Sequence, residues 1–203
     1  MDFKNAIKEY YDKEIQVIKN LNHEEIDAAI QAVLTVYSNG GTIYTCGNGG
    51  SASTASHMQN DFNKGLNEKL EKKFNVLCLC DNVSSILAIG NDISYDEIFR
   101  FQLEGKMMKD DLLIAISGSG NSKNVLNAVD YAHSVSAKVI GITGYNGGRL
   151  KEISDYSMHV AENDMQIDED IHMTFDHMMM RVIMNFLVNN IVSGKNIDDR
   201  HVV

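Results

Sequence analysis

Apolar residues recur at intervals of three and four positions along the first part of the chain. The segments 2–21 and 23–40 both show this spacing, which places their apolar side chains on one face of a helix. The second segment ends in an Asn-Gly-Gly sequence at 39–41, which is typical of a helix C-terminus. We therefore predict an N-terminal helical hairpin over residues 1–40.

Beyond residue 40, short apolar runs alternate with helical stretches. The predicted strands are GTIYTCG (41–47), FNVLCLC (74–80), DLLIAIS (111–117), KVIGITG (138–144) and YSMHVA (156–161). The predicted helices lie at about 51–64, 83–89, 94–106, 122–135, 147–153 and 166–193. Apolar runs separated by helices indicate a parallel sheet covered on both sides. We expect one domain over 1–203 of the α/β class, a three-layer αβα sandwich with a five-stranded parallel sheet over 41–195.

Composition limits the class of partner. The chain has 203 residues and a formal net charge of -10, which argues against nucleic acid because phosphate backbones select Lys and Arg. A small anion is still allowed, since backbone N–H groups bind phosphate in acidic proteins too. No apolar run approaches the roughly 20 residues of a membrane span, and the charged N-terminus lacks a signal-peptide pattern. The scattered Cys46, Cys78 and Cys80 fit reduced, buried thiols, so we expect a cytoplasmic protein without membrane contact.

Two glycine- and serine-rich segments directly follow predicted strands. CGNGGSAS (46–53) comes after the first strand, and SGSGNSKN (117–124) after the third. Ligands of open α/β sheets bind beyond the carboxyl ends of the strands, where a helix N-terminus attracts anions. Each segment could be only a tight turn, but two at equivalent strand ends favour phosphate binding. Neither matches a P-loop or GxGxxG pattern, so no nucleotide cofactor is expected.

Two helices carry imidazole and carboxylate groups at helical spacing. His57 and Asp61 are four residues apart and share one face. The last helix carries a second set, namely Glu169, His172, Asp176 and His177. Such groups can carry out general acid–base catalysis, in which one group takes a proton from carbon and another polarises or protonates an oxygen. They could equally bind a divalent metal through two imidazoles and two carboxylates.

Simpler explanations exist for several of these residues. His57 precedes Met58 and could be a packed core histidine. The acidic residues at 168–170 stand near the start of a long helix, where they favour the helix dipole. The methionines at 178–180 are more typical of a core than of a cofactor site. Spacing alone therefore does not assign a function to either helix.

Five segments in this order resemble the sugar isomerase (SIS) domain. They are CGNGGSASTASH (46–57), AIGNDISYDEIFRFQLEG (88–105), DLLIAISGSGNSKNVLNAVDYA (111–132), KVIGITGYNGGRLKEISDYSMHV (138–160) and EDIHMTFDHMMM (169–180). The histidines of the last segment are similar to those of the phosphoheptose isomerase family. This resemblance implies a flavodoxin-like sandwich, a homotetramer with sites between subunits, and isomerisation of sedoheptulose 7-phosphate to a heptose 7-phosphate.

The resemblance also implies a role for each matching residue. Asp61 and His177 would form the catalytic acid–base pair. The substrate-binding positions would be Asn48, Gly49, Ser51, Asn82, Ser117, Gly118, Ser119, Ser122 and Glu169. One zinc ion per site would be held by His57, Asp61, Glu169 and His177.

Several of these residues depart from the family pattern. Asp61 replaces a glutamate and is one methylene shorter, a displacement that can lower a rate by about 100-fold. Asn82 replaces an aspartate and Gly65 an arginine. Glu169 replaces a glutamine, although Gln166 fills that position if the alignment shifts. Three functions stay open: a phosphoheptose isomerase, an isomerase of another phosphosugar, and a non-catalytic SIS module that binds a sugar phosphate or a protein.

Overall fold

A parallel sheet forms the centre of the computed structural model, which describes residues 2–189. Its five strands are β1 (Ile43–Cys46), β2 (Val76–Cys78), β3 (Leu112–Ser117), β4 (Lys138–Thr143) and β5 (Tyr156–His159). They follow the order β2-β1-β3-β4-β5 across the sheet, and every neighbouring pair is parallel. Each lies inside one of the five predicted runs, so the predicted α/β class and five-stranded parallel sheet are confirmed.

Eight α-helices surround this sheet within residues 2–189. They are α1 (Lys4–Lys19), α2 (His23–Asn39), α3 (Gly50–Asn60), α4 (Val83–Asp92), α5 (Arg100–Leu103), α6 (Lys123–Ser134), α7 (Gly148–Ile153) and α8 (Met165–Asn189). A π-helical segment, Asp61–Leu66, continues α3 directly. The predicted ends of the last helix at 193 and of the core at 195 lie outside the described residues. None of the described helices is long and apolar enough to cross a lipid bilayer.

The single helix predicted over 94–106 is wrong in detail. The chain instead forms a 3₁₀ turn, Tyr95–Glu97, followed by the short helix α5. Between them, Ile98 and Phe99 are both buried, at 2% and 1% exposure. Neighbours on a straight helix point about 100° apart, so the break lets two consecutive side chains enter the same core.

The sheet separates two apolar layers. Leu112, Ile114 and Ile116 of β3 belong to the layer formed with α2, α3 and α8. Leu113 and Ala115, which point the other way, belong to the layer formed with α4, α6 and α7. The predicted αβα sandwich is therefore confirmed.

The three cysteines are free thiols, as expected. Cys78 belongs to the first apolar layer and Cys46 to the second, and Cys80 packs against both.

Amide side chains from α3 and its π-helical continuation bind the outer edge of β2. Asn63 accepts a hydrogen bond from the Val76 N–H at 3.0 Å and donates to the Val76 carbonyl at 2.7 Å. Gln59 accepts from the Cys78 N–H at 2.6 Å. These bonds occupy backbone groups that an edge strand would otherwise expose. They also fix α3 relative to the sheet.

The two glycine- and serine-rich turns meet at one crevice. β1 is flanked by β2 and β3, so the chain leaves β1 towards one side of the sheet and later returns on the other. Such a switch point is where open α/β sheets bind ligands. Asn48, after β1, and Asn124, at the start of α6, exchange two amide hydrogen bonds of 2.9 Å. The turn after β1 is thereby joined to the helix that follows β3.

Candidate active site

Two imidazoles and a carboxylate converge where α3 packs beside α8. The Nε2 atoms of His57 and His177 are 3.1 Å apart. The Oδ2 atom of Asp61 lies 3.6 Å from the first of these nitrogens and 4.0 Å from the second. The His57 side chain is 41% exposed, so it is not a core histidine. The structure thus brings three of the predicted site residues together.

Asp176 is a fourth member of this cluster. One ligand atom from each of His57, Asp61, Asp176 and His177 lies within 4.8 Å of the other three. Asp176 is fully buried, and neither carboxylate oxygen has a hydrogen-bond partner among the described residues. Burial, and after it the charge of Asp61, raises the pKa of Asp176 to about 8. Sequence reasoning placed this residue on the correct helix face but gave it no role beyond the general metal alternative.

Glu169 belongs to α8, and its carboxylate lies beside the first residue of α3, outside this four-residue group. A Cβ added to Gly50 would be 2.3 to 2.6 Å from the three carboxyl atoms of Glu169. A side chain at position 50 would therefore displace this carboxylate from the start of α3. Its negative charge is favoured there by the positive end of the α3 dipole. Gln166, the alternative occupant of this position, is exposed on the first turn of α8.

The turn after β3 carries three serine hydroxyls. Ser117 is buried, and its hydroxyl donates to Ser122 Oγ at 3.2 Å. Ser119 is exposed, and its Oγ accepts from the Asn121 N–H at 3.2 Å. Ser122 is the N-cap of α6, but its side chain caps no N–H of that helix. Hydroxyls and the start of α6 therefore face the same crevice.

Gly118 leaves space beside this turn. Among residues 2–189, a Cβ atom at this position would approach only the Tyr145 ring, at 3.9 Å. On the neighbouring turn, Gly49 has a φ of 55°, and Ser51 is buried at 5% exposure. Asn82, in contrast, is the N-cap of α4 and accepts from the Ser85 N–H at 3.0 Å. Its side chain has a structural task that accounts for its presence.

The start of α8 is attached to the turn after β4. Asp168 is fully buried, and its Oδ2 accepts from the Tyr145 N–H at 3.2 Å. Burial raises the pKa of Asp168 to about 6. Its role therefore goes beyond favouring the helix dipole. The predicted core role of the methionines holds for Met179, which is fully buried.

Comparison with known proteins identifies one family repeatedly. The family model described as "SIS domain" matches residues 9–144. The phosphoheptose isomerase of Aliarcobacter butzleri is 36% identical over 183 residues, covering 89% of this chain and 96% of that protein. The structure of phosphoheptose isomerase from Neisseria gonorrhoeae superposes with a TM-score of 0.82 at 28% identity, over 90% of this chain and 98% of that one. The structure of a phosphoheptose isomerase from Francisella tularensis superposes with a TM-score of 0.83 at 28% sequence identity, over 91% of this chain and 100% of that one.

Proposed function

Because the chain belongs to the SIS domain family and, within it, to the phosphoheptose isomerases, we propose that it converts sedoheptulose 7-phosphate to D-glycero-D-manno-heptose 7-phosphate in the cytoplasm. The observation that carries this proposal is the convergence of His57, Asp61 and His177 within 4.0 Å. These are the residue types that an aldose–ketose isomerisation requires.

The reaction needs a base at carbon and a proton carrier at oxygen. We assign the base to Asp61, which takes the proton from C1 of the ketose and returns it to C2 of the enediol. His177 moves the second proton, from the C1 hydroxyl to the oxygen on C2, so that the product is an aldehyde at C1. Its side chain is 56% exposed and accessible to a substrate, whereas that of Asp61 is 15% exposed. Partial burial shields the reacting carboxylate from water.

The phosphate end of the substrate is assigned to the two turns at the switch point. Ser51, Ser119 and Ser122 supply hydroxyls, and the first N–H groups of α3 and α6 supply positive dipole ends. His57 lies seven residues beyond Gly50, which is about 10 Å along the axis of α3. A sugar chain that extends from the turn along this helix places its C1 and C2 atoms near the imidazoles. An open cleft along α3, lined in part by Ser53, His57 and Asp81, gives it access.

We also propose that the cluster binds a divalent cation, with zinc as the best match. His57, Asp61 and His177 would hold it, since imidazole and carboxylate donors suit Zn²⁺. The buried, unpartnered carboxylate of Asp176 fits a nearby positive charge. When bound, such an ion polarises a carbonyl oxygen.

A homotetramer with sites between subunits is the proposed assembly. Helix α1 buries none of its residues in the single chain. Four apolar side chains spaced four apart form a stripe on its surface and are 48 to 59% exposed: Phe3, Ile7, Tyr11 and Ile15. Such a stripe favours burial against another copy of the chain, because exposed apolar surface of this extent is unfavourable in water.

An NMR assay of the purified protein with sedoheptulose 7-phosphate tests the proposed reaction. We expect conversion to the aldose; in deuterated water, C2 gains deuterium in those turnovers in which the proton held by Asp61 exchanges with solvent before it is returned. The assay is run with added Zn²⁺ and with chelator. Binding of the sugar phosphate without turnover would contradict the isomerase and favour a non-catalytic SIS module.

A second candidate is an isomerase of a different phosphosugar. It is favoured by the capping role of Asn82, because this residue occupies the position of a sugar-contacting aspartate. A panel of ketose phosphates of five to seven carbons separates the two candidates. The highest kcat/KM for a substrate other than the heptulose would establish the second.

A further inference from the structure

Asp176 is a buried carboxylate for which the protein provides no partner. It is fully buried, and within residues 2–189 nothing donates a hydrogen bond to either oxygen. An ionised carboxylate without a partner is strongly disfavoured in a protein interior. Its carboxylate lies within 4.8 Å of ligand atoms of another carboxylate, Asp61, and of the imidazoles of His57 and His177, and the buried His172 lies one turn earlier on α8. Two ionised carboxylates repel each other, whereas a cation shared by all four groups compensates both charges.

We propose that Asp176 is the fourth ligand of a divalent cation bound by His57, Asp61 and His177. All four ligand atoms already lie within 4.8 Å of one another, so they can surround one ion. All four ligands of the cation then come from one chain, since each belongs to α8 or to α3 and its π-helical continuation. This inference concerns the same site as the proposed isomerase and rests on the proposal that this site takes a cation.

The position of Glu169 explains why Asp176, and not Glu169, takes the fourth place. The Glu169 carboxylate packs against Gly50, at the first residue of α3. Asp176 lies seven residues further along α8, about 10 Å or two turns away, beside His57. The two acidic side chains therefore serve different ends of the crevice. Glu169 faces the start of α3, and Asp176 faces the histidines.

The donor set predicts which ion is preferred. Two imidazole nitrogens and two carboxylates form a compact four-ligand set that suits Zn²⁺ or Co²⁺. The two carboxylates together balance the charge of a divalent ion. Mg²⁺ and Ca²⁺ prefer oxygen ligands alone and higher coordination numbers. We expect Zn²⁺ to bind in a one-to-one ratio and Mg²⁺ not to compete with it.

Calorimetric titration of chelator-treated full-length protein with Zn²⁺, in the absence of sugar, tests the assignment. We expect Asp176→Asn to weaken Zn²⁺ binding by at least about tenfold, or about 1.4 kcal/mol. The matched control Glu169→Gln removes a charge from the same helix and is expected to retain wild-type affinity. Co²⁺ absorption provides a second readout, because its visible bands change when a ligand is lost.

Asp176→Leu guards against a trivial loss of folding. In chelator, this variant should melt at a higher temperature than wild type, because an unpartnered buried carboxylate is replaced by an apolar side chain. At the same concentration, added Zn²⁺ should raise the melting temperature of the wild type more than that of the variant. Unchanged Zn²⁺ affinity in Asp176→Asn, an equal loss in Glu169→Gln, or no Zn²⁺ binding by the wild type would each overturn the assignment. A protein that binds Zn²⁺ through Asp176 but turns over no sugar would retain this inference and reject the proposed reaction.

Discussion

At the scale of single residues, the position of Asp61 is the most informative. It is the first residue of the π-helical segment, and its N–H donates to the carbonyls of His57 and Met58. A π-helical turn changes the direction of the side chains that follow it and is frequent at functional sites. The shorter aspartate still places Oδ2 within 3.6 Å of His57. Local backbone geometry therefore supports a carboxylate here despite the missing methylene.

Asp61→Asn tests the assigned base. The amide keeps the shape of the side chain but cannot accept a proton from carbon, so we expect kcat to fall by about 100- to 10,000-fold. KM should change little, because the phosphate turns are untouched. Steady-state kinetics of the wild type and of Asp61→Asn check this. Asp130→Asn, on the exposed face of α6, is the matched control. Wild-type turnover in Asp61→Asn would remove this residue from the mechanism.

Ser119→Ala tests the phosphate turn. The exposed hydroxyl sits between β3 and α6, and a hydrogen bond to a charged group contributes about 1.5–3 kcal/mol. We expect KM for the sugar phosphate to rise roughly tenfold or more, with a smaller change in kcat. Ser134→Ala, at the far end of the same helix, is the control. Equal KM values in the two variants would argue against phosphate binding at this turn.

His172 predicts a pH dependence of stability. Burial lowers the pKa of His172 from 6.5 to about 4, against an opposing effect of the Thr143 backbone and with a smaller lowering effect of His159. Below about pH 6.5 the unfolded chain gains a proton at this residue that the folded chain does not, so stability falls as the pH drops towards about 4. At 1.36 kcal/mol per pH unit, the loss between about pH 7.5 and about pH 4.5 is about 2–3 kcal/mol.

Urea unfolding of wild type and His172→Leu at these two pH values measures this loss. The variant lacks the group, so its free energy of unfolding should fall by about 2–3 kcal/mol less than that of the wild type over the same range. Comparing the change with pH, and not the absolute stability, removes any effect of repacking around the leucine. Parallel pH profiles for the two proteins would contradict the assignment to His172.

At the scale of secondary-structure elements, the contact between α3 and β2 links the active site to the sheet. Gln59 and Asn63 lie two residues before and two residues after Asp61. Their side-chain amides bind backbone groups of β2. They act as a substitute for a neighbouring strand. Any slip of α3 along the sheet would break these bonds. The carboxylate of Asp61, the base in the proposed mechanism, is thereby held at a defined height above β2.

Asn63→Ala tests this link. The substitution leaves the Val76 N–H and carbonyl unpaired at the edge of the sheet, and we expect a loss of about 1–3 kcal/mol in the free energy of unfolding. Asn91→Ala, at the exposed end of α4, is the control and should change stability by less than about 0.5 kcal/mol. Chemical denaturation measures both. Equal stabilities would show that these bonds contribute no net stability.

At the scale of the whole molecule, the exposed stripe on α1 predicts assembly. Ile7→Glu combined with Tyr11→Glu places two charges on this stripe, and burying an unpaired charge is unfavourable. Light scattering after size-exclusion chromatography should give four times the 22.6 kDa chain mass for the wild type and a smaller assembly for the variant. Glu9→Gln, on another face of α1, is the control. A monomeric wild type would refute the proposed tetramer.

The sequence alone determined the fold class, because apolar periodicity reports directly which faces of a helix or strand are buried. It also located the two glycine- and serine-rich turns to which phosphate binding is assigned, since the residues that form them are contiguous. The sequence did not assign Asp176 a partner. Its neighbours on the long helix α8 do not indicate which residues of another helix pack against it. Only the packing of α3 against α8 brought Asp176 and His177 to His57 and Asp61. Contacts between residues about 120 positions apart depend on tertiary structure, and the chemistry of this site depends on those contacts.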